Sequence, residues 1–432
     1  MKKVRIGVLG VYRGTSMIRY CEVADNAQVV AICDKWEEGL MKQKELIHDD
    51  SVTYYTDFDS FIQHDMDAVV LANYANEHAP FAIKAMKAGK HVFSEVLPVQ
   101  TMKEAVELIE TVEETGKIYA YGENYCYMPA PYEMKKLYQA GKIGEFEYGE
   151  GEYIHNCQPI WHSISYGDKH HWRNNMYSTF YCTHSLGPLI HITGLRPVSV
   201  TGFEGTKNAR SLSVGKKGGA FGIEMVTLEN GGILKSIHGG LYQDSVWYSV
   251  YGSKGRMESS REDEQNDAYL RIFVNADEQE GDYAKDTLCN YIPKRDKDDQ
   301  MKGFGHGGSD FYCMYHFAEK ILGNPDADII DVYEAMDMFL PGMFAYRSIL
   351  KGGIPVEIPN LRNREEREQY RNDTACTDPK VAGDMLLPTM STGTPEIGDE
   401  VYESMKEKWR EEMDSDSGYV KAAFHQGEEA KK

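Results

Sequence analysis

The first part of the chain alternates short apolar runs with segments whose apolar residues recur at helical spacing. Short apolar runs bounded by turn residues predict buried strands, and apolar residues three and four positions apart predict amphipathic helices. Strands that alternate with helices in this way predict a doubly wound parallel sheet. The predicted strands are 4–10, 28–33, 68–72, 91–93 and 118–121, and the predicted helices are 36–48, 78–88 and 102–115.

The pattern changes after residue 123, where strand-like segments replace the alternation. Turn pairs such as Asn230-Gly231 separate these segments, as hairpins require. One helix precedes the strands and two follow them, so the pattern predicts an α+β domain built on an antiparallel sheet. The predicted strands are 146–155, 198–203, 221–228, 232–238, 246–251 and 269–274, and the predicted helices are 132–140, 310–322 and 332–350.

We therefore expect three parts: residues 1–122 as a nucleotide-binding α/β domain, 123–360 as an α+β substrate-binding domain, and 361–432 as an extended charged arm. A length of 432 residues suits two or three domains. The last part is polar and has one candidate helix over 399–413. We expect its end to be frayed, as chain termini often are.

Composition narrows the possible function. The net charge of −21 disfavours nucleic acid and anionic membranes as partners, because both attract clusters of Lys and Arg. No apolar run approaches the ~18 residues of a membrane-spanning helix. The eight cysteines form no CxxC pair, which indicates reduced thiols in a reducing compartment. We expect a cytoplasmic protein that binds neither nucleic acid nor membrane.

Histidines concentrate between residues 155 and 184. Two of them, His170 and His171, are adjacent and would point apart on a strand, and no Cys or Asp completes a ligand set, so no metal is expected. Trp161 and Trp172 lie beside them. Indole and imidazole rings in a loop favour stacking on a sugar over metal binding.

The first predicted strand ends in a glycine turn that can bind a phosphate group. Backbone N–H groups at a helix N-terminus approach a pyrophosphate closely where side chains are absent. Gly10 and Gly14 flank Tyr12, which stands where a strict GxGxxG motif has its second glycine. We expect Gly10, Tyr12, Arg13 and Gly14 to contact a dinucleotide; the alternative is an ordinary strand-to-helix turn.

Asp34 ends the second predicted strand, at the position where an acid hydrogen-bonds the adenosine ribose diol and repels a 2′-phosphate. The neighbouring Lys35 acts in the opposite sense. Strand, glycine turn, helix, strand and acid together indicate a Rossmann domain that binds NAD in preference to NADP.

Two segments resemble the Gfo/Idh/MocA oxidoreductase family: Ala72-Asn-Tyr-Ala-Asn-Glu-His78 and the stretch 85–95, AMKAGKHVFSE. Members of that family pair a Rossmann domain with an open-faced antiparallel sheet, and they oxidise or reduce sugars and polyols. The resemblance covers about residues 4–360 and implies Asn73, His78 and Glu95 as cofactor contacts. Glu95 would hold the nicotinamide-side ribose or cap a helix.

The chain departs from the common family pattern at two places. Val96 follows Glu95 where the family normally has a catalytic lysine. The usual D-x-G-x-H motif keeps only its histidine, His184, because Phe180 and Cys182 replace the Asp and Gly. A dehydrogenase of the inositol type is therefore less favoured.

A narrower branch, the NAD-dependent α-N-acetylgalactosaminidases, is similar at four motifs in the same order. The resemblance implies a redox glycosidase: NAD⁺ takes a hydride from a ring carbon, usually carbon 3, the ketone acidifies the proton on carbon 2, the aglycone leaves, water adds, and the hydride returns. The motifs are Glu123-Asn124-Tyr-Cys-Tyr127, Gly151-Glu-Tyr153-Ile-His155, Tyr181-Cys-Thr-His184-Ser-Leu-Gly-Pro188 and Gly305-His306-Gly-Gly-Ser-Asp310.

This chemistry needs two proton acceptors. His184, expected at the start of a helix that faces the cleft, is the candidate base for the sugar hydroxyl. Tyr153 and His155 lie two apart on a strand and share one face. Tyr153 would be the carbon-2 base, and His155 would support it or serve the leaving group. The alternatives are a structural histidine and packing aromatics.

The remaining candidate contacts are assigned by position. Tyr181, His306 and Trp172 are expected to contact the substrate. Glu123 and Asn124 follow the last strand of the first sheet, near the nicotinamide, because ligands gather at the C-terminal ends of parallel strands.

Three functions stay open at this point: a redox-neutral glycosidase, an NAD-dependent sugar, polyol or glycoside dehydrogenase, and a non-catalytic NAD-binding protein. A small-molecule carbohydrate is the expected substrate. The family resemblance also implies a homo-oligomer, a dimer or a tetramer.

Overall fold

The computed structural model describes residues 2–47, 49–261, 270–274, 287–301 and 303–415. The frayed end predicted beyond residue 415 lies outside the described residues. No helix in the described ranges is long and apolar enough to cross a membrane.

The first domain is a parallel sheet covered by helices, as predicted. Within the described residues its six strands run in the order β3-β2-β1-β4-β5-β6, the doubly wound order of dinucleotide-binding domains. Its strands are almost entirely buried because helices cover both faces. Its elements are β1 Val4–Leu9, α1 Thr15–Val23, β2 Ala27–Cys33, α2 Glu37–Leu46, β3 Thr53–Tyr55, α3 Phe58–Ile62, β4 Ala68–Leu71, α4 His78–Lys87, β5 His91–Ser94, α5 Met102–Thr115 and β6 Tyr119–Tyr121.

The second domain places a large sheet beside the first domain, with helices before, within and after its strands. Its elements are α6 Pro129–Gln139, β7 Phe146–Ile154, α7 Trp161–Ser165, α8 Thr183–Thr193, β8 Pro197–Glu204, α9 Ala209–Leu212, β9 Phe221–Leu228, β10 Ile233–Gly239, β11 Ser245–Gly252, β12 Gly255–Ser259, β13 Leu270–Val274, β14 Thr287–Tyr291, α10 Ser309–Ile321, α11 Val332–Leu350 and β15 Val356–Glu357. The arm that follows contains α12 Arg364–Glu368, α13 Pro379–Ala382 and α14 Asp399–Asp414.

The sheet of the second domain is antiparallel, as predicted, except for one parallel pair of strands. Its strand order in the described part of the chain is β14-β13-β12-β11-β7-β10-β9-β8-β15, and β7 and β10 pair in parallel while the other neighbours are antiparallel. A parallel pair needs a long crossover connection. The segment 155–232, which includes α8, β8 and β9, supplies it.

The helix α8 packs across β7, β10 and β11, so it covers the face of the sheet that turns toward the first domain. The approach is close at Gly151, where an added Cβ would lie 1.8 Å from the backbone oxygen of Ser185. Glycine on β7 therefore lets the start of α8 lie directly over the strand. This contact fixes the position of the first turn of α8, which carries His184.

The predicted arm packs onto both domains over its described length, 361–415. Arg371 makes two hydrogen bonds, of 2.9 and 2.6 Å, to Glu110 on α5. The buried Arg367 pairs with Glu113 at 2.9 Å. The helix predicted over 399–413 is confirmed as α14, and it packs against α7 of the second domain.

The helix α5, which holds this arm, begins with a capping box. The Thr101 hydroxyl accepts a hydrogen bond from the Glu104 N–H, and the Glu104 carboxylate accepts one from the Thr101 N–H.

We predict that Thr101→Ala lowers the free energy of unfolding by about 1 kcal/mol in urea titrations, because it removes this capping box. Thr101→Ser keeps a hydroxyl and should stay close to the wild type. An equal loss in both variants would show that the cap is not the cause.

Candidate functional site

A cavity of about 800 Å³ lies between the two domains, at the C-terminal ends of the first sheet. Ligands bind at this edge of doubly wound sheets, and the volume falls within the range of ligand and cofactor sites. Most of the predicted site residues line it: Gly10, Tyr12, Arg13, Asp34, Asn73, Glu95, Asn124, Tyr153, His155, Trp172, Tyr181, His184 and His306.

The glycine turn has the shape that a phosphate-binding turn needs. Gly10 adopts a φ of 99°, which side chains disfavour, and an added Cβ would lie 2.5 Å from the backbone oxygen of Ala72. The N–H of Gly14 bonds to the Gly10 carbonyl at 3.1 Å, directly before α1. Gly14 therefore shapes the turn from behind, while Gly10 and Tyr12 reach the cavity.

Asp34 stands at the end of β2 and faces the cavity. One carboxylate oxygen accepts a hydrogen bond from the Val11 N–H at 2.8 Å, and the other accepts one from the Trp36 N–H at 2.9 Å. Burial raises the pKa of the carboxyl group, although both hydrogen bonds favour its charged form. The two backbone donors fix the carboxylate where it can accept hydrogen bonds from a ribose diol, so turn and acid together fit NAD.

A buried ionic cluster joins the glycine turn to the second domain. Asp310, at the start of α10, accepts two hydrogen bonds of 2.9 Å from Arg13 and one of 2.9 Å from Asn124. His306 lies 3.2 Å from the same carboxylate, and Glu95 pairs with Arg13 at 2.7 Å. Burial opposes the charge of Asp310, but the Arg13 guanidinium holds its pKa well below the usual range. Asp310 therefore stays ionised and ties the domains together.

His78, a predicted cofactor contact, lies behind the cavity wall. His78 is buried on α4, and its ring nitrogens lie 2.8 Å from the Leu97 carbonyl and 3.3 Å from the Asn73 carbonyl. Burial lowers its pKa to about 4, so the ring is neutral. His78 therefore supports the backbone of the segments that carry Asn73 and Glu95.

His184 lies in the first turn of α8, as predicted, and Glu123 stands directly behind it. Nδ1 of His184 donates to the Glu123 carboxylate at 2.6 Å, and Thr183 donates to the other carboxylate oxygen at 2.7 Å. Glu123 is fully buried. The carboxylate holds Nδ1, so Nε2 is the nitrogen that a ligand in the cavity can use.

Tyr153 and His155 lie side by side at the end of β7. The Tyr153 hydroxyl and His155 Nδ1 share a hydrogen bond of 3.0 Å, and the rings of Tyr153 and His184 are 4.7 Å apart. Burial raises the pKa of Tyr153 well above its usual value, whereas a hydrogen bond to the Cys157 thiol raises the pKa of His155. The three predicted catalytic side chains therefore form one cluster.

Several residues of the cavity were not predicted. Tyr125 packs 4.4 Å from the His184 ring, and its place inside the motif that starts at Glu123 was a signal for it. Val96 presents an apolar side chain beside Glu95. Trp36 and Trp409 line the other end of the cavity, and they had no motif to mark them.

The histidine-rich segment serves packing and charge pairing. His171 is buried beside Tyr74, with ring centres 4.8 Å apart, and burial lowers its pKa to about 3. His162 pairs with Glu412 at 3.2 Å. Within the described ranges, no group of three or more His, Cys, Asp or Glu side chains is arranged to hold a metal ion.

Cys157 is the half-buried cysteine of this site. Burial opposes its ionisation, but the hydrogen bond to His155 and the positive charges of His155, Arg173 and Lys216 together outweigh that effect, so the thiol pKa is lowered. The other described free cysteines are buried, with raised pKa values: Cys21, Cys33, Cys126, Cys182, Cys313 and Cys376.

We predict that iodoacetamide at pH 7 labels Cys157 at least about tenfold faster than these six cysteines, because the thiolate is the nucleophile. Peptide mapping by mass spectrometry measures the rates. His155→Ala removes the partner, restores a higher thiol pKa and should slow the labelling, whereas Ser213→Ala nearby should not. An unchanged labelling rate of Cys157 in His155→Ala would contradict the assigned pairing of Cys157 with His155.

Comparison with known proteins gives family matches for two separate parts of the chain. A family model described as an oxidoreductase family with an NAD-binding Rossmann fold matches residues 4–123, and the model of the glycosyl hydrolase 109 C-terminal domain matches residues 245–366. A glycosyl hydrolase family 109 protein of Solibacter usitatus is 26% identical over 83% of this chain and 88% of its own. Glycosyl hydrolase family 109 protein 1 of Bacteroides thetaiotaomicron is 26% identical over 84% and 85%.

Solved structures share the fold at low identity. An oxidoreductase from Agrobacterium radiobacter, solved with NAD⁺, L-tartaric acid and magnesium, has a TM-score of 0.67 at 14% identity, over 82% of this chain and 98% of its own. Myo-inositol 2-dehydrogenase from Lactobacillus plantarum has a TM-score of 0.62 at 20% identity, over 83% and 100%. The two family-model matches and the glycosyl hydrolase family 109 relatives show an enzyme that carries an NAD-binding Rossmann domain of the Gfo/Idh/MocA oxidoreductase type over residues 4–123 and a glycosyl hydrolase 109 C-terminal domain over residues 245–366.

Proposed function

We propose that this enzyme hydrolyses glycosides by a redox-neutral cycle that uses NAD⁺ as a resident cofactor. The observation that carries the proposal is the joint placement of the His184–Glu123 pair and the Tyr153–His155 pair in one cavity with the glycine turn. A simple oxidation needs one base. A second base beside the first serves the removal of a proton from the carbon next to the new ketone.

The first step uses His184. When bound, NAD⁺ accepts a hydride from the sugar ring and later returns it. His184 takes the proton of the oxidised hydroxyl at Nε2, and Glu123 stabilises the imidazolium through Nδ1. A buried carboxylate behind a histidine holds its tautomer and orientation. Glu123 lies just after β6 of the first sheet and His184 lies on α8, so oxidation requires that α8 is packed against the end of the first sheet.

The second step uses Tyr153 with His155. Burial raises the pKa of Tyr153, so its phenolate is scarce but strongly basic once it forms. His155 shares a hydrogen bond with the phenol and can accept its proton. Tyr153 then removes the carbon-2 proton, the electron pair expels the aglycone from carbon 1, and water adds before the ketone is reduced.

The apolar side chain of Val96 supports the same conclusion. Glu95 already pairs with Arg13, and Val96 offers no ammonium group to the cavity. The proton relay of a lysine-dependent dehydrogenase is therefore replaced by His184 and Tyr153. The names of the relatives, glycosyl hydrolase family 109 proteins, agree with hydrolysis.

The proposal extends to the setting of the reaction. We place the enzyme in the cytoplasm, as its reduced cysteines favour, and expect a homo-oligomer. Phe203, Ile233 and Tyr251 on the second sheet are more than a third exposed, with fractions of 52%, 42% and 37%. Such apolar side chains suit contact with a second copy of the chain.

The test is a reaction with aryl glycosides and disaccharides in D₂O, followed by NMR and by absorbance at 340 nm. The wild type should release aglycone with deuterium at carbon 2 and without net NADH. His184→Ala should lower release and carbon-2 exchange together by about 10²–10⁴-fold. Tyr153→Phe should lose exchange and release but still accumulate a bound absorbance at 340 nm, because oxidation needs only His184.

Tyr148→Phe is the matched control, since Tyr148 lies on the same strand β7 beside Tyr251, away from the cavity wall. It should behave as the wild type. Stoichiometric NADH with an intact glycosidic bond would make the enzyme a dehydrogenase. NAD binding with no turnover on any glycoside would contradict both catalytic assignments.

A further inference from the structure

The far end of the cavity is closed by the C-terminal arm. We propose that Trp409 on α14 is a cofactor-binding residue: beside Trp36, it extends the aromatic surface on which the adenine base packs, and it keeps NAD bound between turnovers. This role of Trp409 rests on the proposed redox-neutral cycle, in which the cofactor stays bound because the hydride returns to the same sugar.

The position of Asp34 locates the adenine. A carboxylate at the end of β2 binds the adenosine ribose, so the base lies just beyond it. Trp36 follows two residues later and lines the cavity, as does Tyr74 from the segment after β4. The Lys35 ammonium lies 4.4 Å from the centre of the Tyr74 ring. The first domain thus supplies one aromatic wall for the base.

The C-terminal arm adds one more aromatic ring, Trp409, to this wall. The ring of Trp409 lies 6.1 Å from that of Trp36, inclined by 56°, and 5.0 Å from that of Tyr166. Trp409 is half-buried and lines the same cavity. Tyr166 in turn stacks on Tyr74 at 6.2 Å. These indole and phenol rings pack against one another as one aromatic wall at the expected position of the base, and flat aromatic rings stack well on nucleobases.

The arm is anchored to the second domain next to this wall. Tyr402 donates a hydrogen bond of 3.2 Å to the Gly215 carbonyl, and Ser163 donates one of 2.5 Å to Glu412. His162 also pairs with Glu412 at 3.2 Å. Because Trp36 belongs to the first domain and Trp409 to an arm fixed on the second, a base packed on both rings is held by two separate segments of the chain.

Slow release of the cofactor separates the two catalytic functions considered above. A dehydrogenase must release NADH and bind NAD⁺ in every turnover, whereas a redox-neutral glycosidase returns the hydride to the same sugar. An aromatic wall supplied by the C-terminal arm slows release of the cofactor. Slow release limits a dehydrogenase, but it does not limit a redox-neutral glycosidase. The inference thus explains why residues 399–414 fold back onto the cavity.

The test measures release of etheno-NAD⁺, whose fluorescent base is quenched by stacking. The full-length protein is loaded with it and chased with excess NAD⁺. Trp409→Ala should speed release at least about tenfold and raise the fluorescence of the bound base. Trp409→Phe should recover most of the retention, and Trp409→Leu should recover little, because leucine is apolar but does not stack. Lys408→Ala, on the exposed side of the same helix, is the matched control.

Hydrogen exchange of α14 shows whether each variant keeps the helix. The release rates of the wild type, Trp409→Phe and Trp409→Leu are compared only among variants that keep it. Release rates equal within twofold in the wild type and Trp409→Ala would overturn the inference, as would unchanged fluorescence of the bound base. The assay reads binding alone. If Trp409→Ala does not change the release rate, carbon-2 exchange by the wild type is unaffected and the proposed hydrolysis stands. If the wild type does not exchange carbon 2, the release rates still decide whether Trp409 retains the cofactor.

Discussion

The hydrogen bond between Glu123 and His184 is the contact on which the site depends. Glu123 lies two residues after β6, and His184 lies in the first turn of α8, so the bond links the end of the first sheet to the helix that packs on the second sheet. A buried carboxylate without its partner would be strongly destabilised. The same interaction that joins α8 to the end of the first sheet therefore also fixes the tautomer of the proposed base.

Asp310 repeats this arrangement at the cofactor turn. It binds Arg13 of the first domain and Asn124, and it lies beside His306, so the start of α10 is tied to the glycine turn before α1. Glu95 is also paired to Arg13, so one guanidinium faces two carboxylates inside the fold. The cavity consequently has rigid polar walls, and a bound ligand meets donors and acceptors that are already oriented.

Local patterns predicted much of this structure. The strand–turn–helix spacing around Gly10 and Asp34 indicated the nucleotide site, and the motifs around Tyr153 and His184 placed residues that the fold brings within one cluster. The parallel pairing of β7 and β10 was missed because alternation within a strand does not reveal which neighbour it pairs with. The role of the arm was missed because Trp409 reaches the cavity through packing of a polar helix, which leaves no local pattern.

The fate of the hydride tests the central claim most directly. A glycoside carrying deuterium on carbon 3 is incubated with the enzyme in ordinary water, and the product sugar is examined by mass spectrometry and NMR. A redox-neutral cycle at a retained cofactor predicts that the released sugar keeps its deuterium at carbon 3 while carbon 2 exchanges with water. Loss of the label from the sugar, with its appearance in free NADH, would contradict the account and establish a dehydrogenase.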